Sequence, residues 1–220
     1  ELCSTPGINT PWSLCRTGRT FVSSFHFSRS SVASNPWLSI ICSVTAGDTS
    51  LVVRAAKSVV MQSVSFAQCG SVTPGGAVRI EECDGVTLSQ IAVQNCSSGA
   101  EGGGIAIVNS TGVSIDSLTF SGCTAKKGGG LALLDTTATI SALTVHSCTA
   151  SHATPEAYVT SSSLVTEAAV AGGGLYIAQG SAVTVSNSLL ANNSAPWGCG
   201  GGVAIISPQS ITQVLSTTTI

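Results

Sequence analysis

A nine-residue line recurs down this chain and limits what it can fold into. Four copies share one pattern: Met61-x-x-Val64-x-Phe66-x-x-Cys69, Leu88-x-x-Ile91-x-Val93-x-x-Cys96, Ile115-x-x-Leu118-x-Phe120-x-x-Cys123 and Ile140-x-x-Leu143-x-Val145-x-x-Cys148. A fifth, Val185-x-x-Ser188-x-Leu190-x-x-Asn193, carries Asn where the others carry Cys. Successive cysteines lie 27, 27 and 25 residues apart, and Cys15 and Cys42 fall on the same grid upstream. Between the lines come glycine blocks at Gly75, Gly102, Gly128, Gly172 and Gly200, each opening a short alternating segment such as Ile105-Ala106-Ile107. Self-similarity at this period means a solenoid.

One unit can be read physically. Alternation in Ile105-Ala106-Ile107 or Leu118-Thr119-Phe120 is the two-residue period of a strand with one apolar face. The three-residue steps, Ile115 to Leu118 and Phe120 to Cys123, break that parity. A chain that keeps its apolar residues inward must turn a corner at each step. The glycine blocks supply another corner, where positive φ or close backbone approach excludes a Cβ. The pattern predicts an all-β, right-handed parallel β-helix, with rungs stacked at about 4.8 Å. It is clear over residues 51–220, while residues 1–50 read as degenerate rungs or a cap. A leucine-rich repeat shares the Leu-x-x-Ile-x-Val-x-x-Cys line, but its return half needs a helix or extended segment with its own leucines. Here that half carries Gly-Gly-Gly and a second alternating strand, and helix propensity is poor throughout.

Composition narrows the setting. Charged residues are 8% of the chain and mean hydropathy is +0.43, yet no run approaches the ~20 apolar residues of a membrane-spanning helix. The net charge is −2 and the basic residues make no stripe, so nucleic acid is not an expected partner. Lys126-Lys127 reads as a solvated turn. Nine cysteines and three Asn-x-Ser/Thr sequons, at Asn95, Asn109 and Asn192, point to an oxidising, extracellular or cell-surface location with N-linked glycans as partners. The chain lacks an initiator Met and a signal peptide, which is the expectation for a processed chain or a piece of a longer solenoid. Neighbouring rungs of the same or an adjoining chain, in a filament or homo-oligomer, are the other expected partners.

Stacking places Cys69, Cys96, Cys123 and Cys148 in one inward column, continued by Asn193. Adjacent Cα atoms at about 4.8 Å suit a disulfide, but in-register Cβ atoms are slightly far for one. Bridges and buried free thiols therefore both remain open. Cys83 and Cys199 fall off the column, and Cys3 and Cys15 are close enough to pair locally. Asn95 and Asn192 each precede a column position and should face outward at the same corner, with Asn109 on a different turn. Gly130 to Gly174 spans 44 residues, so about 17 extra residues enter the solenoid as a loop at 151–171. Insertions of this kind gather on one face and often carry recognition.

Phe120-Ser-Gly-Cys123-Thr-Ala125, Val145-His-Ser-Cys148-Thr-Ala150 and Leu190-Ala-Asn-Asn193-Ser-Ala195, with the Gly-Gly-Gly-Ile/Leu/Val blocks, resemble repeats of the pectin lyase-like superfamily. They are similar in particular to repeats of chlamydial polymorphic outer membrane proteins and of large eukaryotic surface proteins. The resemblance covers about residues 51–220. It implies the coil and leaves activity open, because this fold hosts enzymes, adhesins and scaffolds.

The hydrolases of that superfamily resemble one another in Asn-Thr-Asp, Asp-Asp, Gly-His-Gly and Arg-Ile-Lys elements. None occurs here, and Arg79-Ile80 is followed by Glu81. Glycoside hydrolysis needs carboxylates flanking a bond, and the one acidic cluster, Glu81-Glu82-Cys83-Asp84, reads as an exposed turn or a loose Ca²⁺ site. His26, His146 and His152 share no metal-ligand spacing. A Cys148–His146 nucleophile pair lacks an orienting third group. No phosphate-cradling motif appears, because each glycine block opens a strand. Thr136-Thr137 and Thr217-Thr218-Thr219 do not repeat from rung to rung, which argues against ice binding. The sequence therefore reads as a non-enzyme without cofactor or metal: a scaffold or spacer in a larger surface, wall or appendage protein. The alternative is an adhesin or carbohydrate-binding module using the 151–171 loop or a rung face, and a polysaccharide lyase or hydrolase ranks last.

Overall fold

The computed structural model describes residues 38–41, 50–151, 171–178, 180–196, 200–206 and 214–216, the first and last of these as backbone alone. Within them the chain winds as a parallel β-solenoid. Strand β1 (Leu38–Ile41) precedes a turn made of β2 (Leu51–Arg54), β3 (Lys57–Gln62), β4 (Val64–Ala67) and β5 (Gly70–Ser71). The next turn holds β6 (Val78–Glu81), β7 (Asp84–Gln94) and β8 (Ser97–Ser98). It is followed by β9 (Ile105–Val108), β10 (Val113–Ser121) and β11 (Thr124–Ala125). Then come β12 (Leu131–Leu134), β13 (Thr137–Ser141), β14 (Thr144–His146) and β15 (Thr149–Ala150). The last turns hold β16 (Leu175–Ala178), β17 (Ala182–Ser186) and β18 (Leu189–Ala191), then β19 (Val203–Ile206) and β20 (Val214–Ser216).

Among the described residues these strands form a ten-stranded, a six-stranded and a four-stranded sheet, with every pairing parallel. The six-stranded sheet runs β2-β6-β9-β12-β16-β19, the four-stranded one β5-β8-β11-β15, and the remainder form the largest sheet. Register follows the sequence repeat. Phe120 lies between Val93 and Val145, Ile115 between Leu88 and Ile140, and Leu131 between Ile105 and Leu175. These ladders fill one continuous core, in which Phe66, Phe120, Ile105, Leu131 and Leu175 are buried. Each such side chain contributes about 1.5–3 kcal/mol through burial. The return half of each turn forms the six-stranded parallel sheet that the glycine blocks open, which a leucine-rich repeat lacks. β1 pairs with β4, so the ladder also reaches upstream of residue 51.

Corners fall where parity breaks. At the step inside the largest sheet, Gln90, Ser117, Ala142 and Asn187 have φ between 49° and 52° or, for Ser117, 57°. At the next corner Gln68, Asn95, Gly122, Ser147 and Asn192 also adopt positive φ. A left-handed residue reverses the backbone sharply enough to redirect the strand while the following side chain stays inward. The glycine blocks answer a steric demand as well: a Cβ on Gly103 would run into the carbonyl oxygens of Gly129 and Thr124.

Candidate functional site

The chemistry-bearing side chains sort into inward columns at the corners and outward groups on the faces. Cys96, Cys123 and Cys148 stack at the corner between the largest and smallest sheets, each fully or almost fully buried. The backbone N–H of Cys69 donates to the Cys96 sulfur at 3.3 Å. The Cys123 thiol donates to Val93 O of the turn before it at 3.6 Å. Asn193 continues the column as its register predicts: the Cys148 N–H donates to Asn193 Oδ1 at 3.0 Å, and Asn193 Nδ2 donates to Val145 O at 2.9 Å. Cys96, Cys123 and Cys148 are free thiols, as is Cys83, whereas Cys69 is disulfide-bonded. Cys3, Cys15, Cys42 and Cys199 lie outside the described residues, as do His26 and His152.

The three free thiols of this column titrate together. A hydrogen bond from the Cys123 thiol holds Cys96 below the ordinary thiol value, against the opposing effect of burial. Cys123 is drawn down by the Cys148 thiol, but its bond to Cys96 and its burial outweigh this and push it up to about 12. Cys148 is raised by its bond to Cys123 and by burial. One thiolate in the column disfavours a second, as in any closely coupled set.

A second column escaped the sequence reading. Cys83, placed there off the repeat, sits at the corner between the six-stranded and largest sheets with Ser110, Thr136 and Ser181, all buried. The Cys83 N–H donates to Ser110 Oγ at 3.1 Å, and the Thr136 N–H to Ser181 Oγ at 3.1 Å. Thr136 Oγ1 donates in turn to Ile107 O at 3.2 Å. Ser188 does the same at a third corner, accepting from the Leu143 N–H at 3.2 Å. The shared signal is a small hydrogen-bonding side chain directly after a left-handed residue: Glu82, Asn109, Asp135, Gly180 or Asn187. Thr136 thus points into the coil and is no part of an outer threonine array.

Outward groups are placed as follows. Asn95, Asn109 and Asn192 are exposed at corners in the left-handed conformation, Asn95 and Asn192 at the same corner. Glu81 pairs with Arg54 at 2.7 Å and Arg79 at 3.1 Å, while Asp84 accepts from Thr111 Oγ1 at 2.7 Å. The acids of this turn thereby serve three different partners, two arginines at Glu81 and a threonine at Asp84. His146 is exposed and Cys148 buried, so the two side chains lie on opposite sides of the sheet wall. Lys127 is half-buried with Nζ 5.3 Å from the Tyr176 ring centre, a cation–π contact that its solvated-turn reading did not anticipate. On the largest sheet, Thr87, Ser114, Thr139 and Thr184 form an exposed in-register row. On the six-stranded sheet, the outward Ala132, Leu134, Tyr176, Ala178 and Ala204 form a second apolar cluster separate from the core. The inserted loop at 151–171 lies outside the described residues except for its end residues, Ser151 and Ala171.

Residues 21–218 match the model of the family described as a right-handed beta helix region. No curated protein and no solved structure matches the chain.

Proposed function

The chain belongs to the right-handed β-helix family, and from that premise we propose that it is a non-catalytic scaffold. In this reading it is a rigid spacer segment of a larger extracellular, wall or appendage protein. The observation that carries the reading is the set of inward corner side chains. They tie each turn to its neighbour by buried hydrogen bonds in addition to the strand ladders. A buried polar group that is fully paired stiffens and specifies its surroundings, and a coil so braced keeps its shape over distance. Exposed Asn95, Asn109 and Asn192 would carry N-linked glycans on the outer corners, and turns of an adjoining chain would extend the stack into a filament or homo-oligomer.

Small-angle scattering on the protein secreted from eukaryotic cells tests this, with intact mass before and after removal of N-glycans. The expected result is a rod with a length of about 4.8 Å per turn and a mass drop at the sequons. A flexible or collapsed particle would overturn the spacer reading. Product release from pectin, alginate or related polymers would overturn the non-catalytic one.

A second reading has its own observation. The exposed row Thr87, Ser114, Thr139 and Thr184 sets hydroxyls about 4.8 Å apart along a flat face, a spacing suited to an extended polysaccharide. Binding on a glycan array that disappears in Thr139→Val/Thr184→Val would support a carbohydrate-binding face. Binding that survives the substitution would remove it.

A further inference from the structure

Cys96, Cys123 and Cys148 are buried nucleophiles that the scaffold reading leaves idle. Register fixes where they sit. Ser121 pairs with Gln94 on one side and His146 on the other, and Thr124 pairs likewise with Ser97 and Thr149. Cys123 is thus flanked by aligned contacts to both neighbouring turns, and the three cysteines stand directly above one another. Their Cα atoms are about 4.8 Å apart, within the range that a disulfide spans, and their Cβ atoms need approach by only a few tenths of an ångström. The thiols are already in contact: Cys123 is hydrogen-bonded to Cys96 on one side and to Cys148 on the other. All three are 0–1% exposed, so water does not compete for them.

A column of three has a consequence that a pair would not. Cys123 is the shared neighbour, so these thiols take one disulfide at a time, Cys96–Cys123 or Cys123–Cys148, and leave one thiol beside it. That thiol is placed for exchange. Displacement at sulfur runs in line, with the attacking thiolate, the central sulfur and the leaving sulfur on one axis. Equivalent atoms on three stacked parallel strands lie along such an axis. Cys148 as a thiolate would attack Cys123 Sγ, form the Cys123–Cys148 bond and release Cys96 as a thiolate, with no net gain or loss of electrons. The bond rests where the spare sulfur is best held ionised. The Cys69 N–H donates to the Cys96 sulfur at 3.3 Å. In keeping with that contact, Cys96 lies below the ordinary thiol value and Cys148 above it, which also makes Cys96 the better leaving group.

We propose that this column is a redox-switched staple, in which oxidation links Cys123 to Cys148 and leaves Cys96 as the free thiol that can move the bond. In the forming step the two thiols give two electrons and two protons to a small-molecule disulfide such as glutathione disulfide, which leaves as two thiols. The bond joins adjacent turns across 25 residues of sequence and narrows the unfolded ensemble. Reduction returns those turns to their ladders and corner hydrogen bonds. Resistance of the coil to unfolding then follows the thiol–disulfide balance of its surroundings. The staple does not depend on the scaffold reading: a rod without it remains a rod, and a coil with another role would still carry it.

Refolding the intact chain from urea in a buffer of reduced and oxidised glutathione tests it, since the unfolded chain exposes every thiol. Remaining thiols are then blocked with N-ethylmaleimide in urea. Cleavage after Glu101, Lys126 and Glu156 puts Cys96, Cys123 and Cys148 on three separate peptides. Mass spectrometry without reduction should find the Cys123 and Cys148 peptides joined and Cys96 blocked. In Cys148→Ser the bond should move to Cys96–Cys123. A Cys96–Cys123 bond in the unaltered chain, a bond from Cys123 to a cysteine outside the column, or blocking of all three would overturn the proposal. Stability reads the switch separately. The urea midpoint should differ more between oxidised and reduced protein in the unaltered chain than in Cys123→Ser, where only bridges made elsewhere respond. Equal differences would overturn the switch, and if a variant does not fold, the peptide map of the unaltered chain decides.

Discussion

The two large sheets share one backbone plan and differ on their outer faces. Along the largest sheet the outward row reads Thr87, Ser114, Thr139, Thr184 and is exposed. Along the six-stranded sheet the corresponding row reads Ala106, Ala132, Tyr176, Ala204 and is 0–4% exposed. Both rows ride on parallel ladders in unbroken register, so backbone geometry does not set the difference. It comes from what the side chains meet. β-Hydroxyl residues suit a pleated surface in water, whereas small apolar residues leave a floor on which another layer can lie close. One solenoid thereby has a wet wall and a dry one.

The largest expected effect that would break this contrast is a charge on the dry wall. Ala132→Lys should cost about 3–5 kcal/mol, the range for an uncompensated buried charge. Thr139→Lys on the wet wall should stay within about 0.5 kcal/mol. Urea unfolding of the two variants reads the difference directly, and equal small losses would mean that both walls are wet. Truncation comes next: Tyr176→Ala should lose about 2–3 kcal/mol. Val60→Ala, at a side chain 55% exposed on the wet wall, should lose under about 0.5 kcal/mol.

The thiol corner, which belongs to neither wall, should respond to pH. Cys123 and Cys148 hold their protons more tightly folded than unfolded. Their contribution is thus full below the ordinary thiol value and is lost as pH rises towards about 12, because the unfolded chain ionises first. Cys96, shifted down, acts in the opposite sense and partly offsets this. Stability should fall by on the order of 1 kcal/mol between pH 9 and 11, and Cys123→Ser should flatten that fall. The smallest contrast uses glycine. Ala142, exposed at φ 52° on the wet side, should gain about 0.5 kcal/mol as Ala142→Gly, while Ala132→Gly inside a dry-wall strand should lose about 0.5–1 kcal/mol. Melting temperatures of the pair would show opposite signs.

Much of the fold was legible because the inner ladder repeats in residue type. Ile, Leu, Val and Phe recur at fixed offsets, and the three-residue steps marked the corners that Gln90, Ser117, Ala142 and Asn187 take up. The Cys/Asn column was legible for the same reason. The column of Cys83, Ser110, Thr136 and Ser181 was not, since its members share only size and hydrogen-bonding capacity. The dry wall was missed because the alanine in Ile105-Ala106-Ile107 fits a strand with one wet face as well as one covered on both. Only comparison with the Thr and Ser at outward positions elsewhere sets the two apart. Lys127 gave no sign, as its partner Tyr176 lies 49 residues on.

The corner side chains also give the coil a direction. Asn193 serves Cys148 and Val145, Ser181 serves Thr136, and Ser110 serves Cys83: in each case a later turn completes an earlier one. Removing a turn from the C-terminal side therefore strands backbone N–H and C=O groups of its predecessor in an apolar interior, at about 1–3 kcal/mol each. The strand ladders lose backbone partners whichever end is removed. Of these corner bonds, however, a loss from the N-terminal side frees only side-chain groups, several of which, such as Ser110 Oγ on Val108 O, also bond within their own turn. A chain synthesised from its N-terminus would thus lay down each turn unfinished and seal it with the next. Unravelling would likewise be harder to start from one end than from the other.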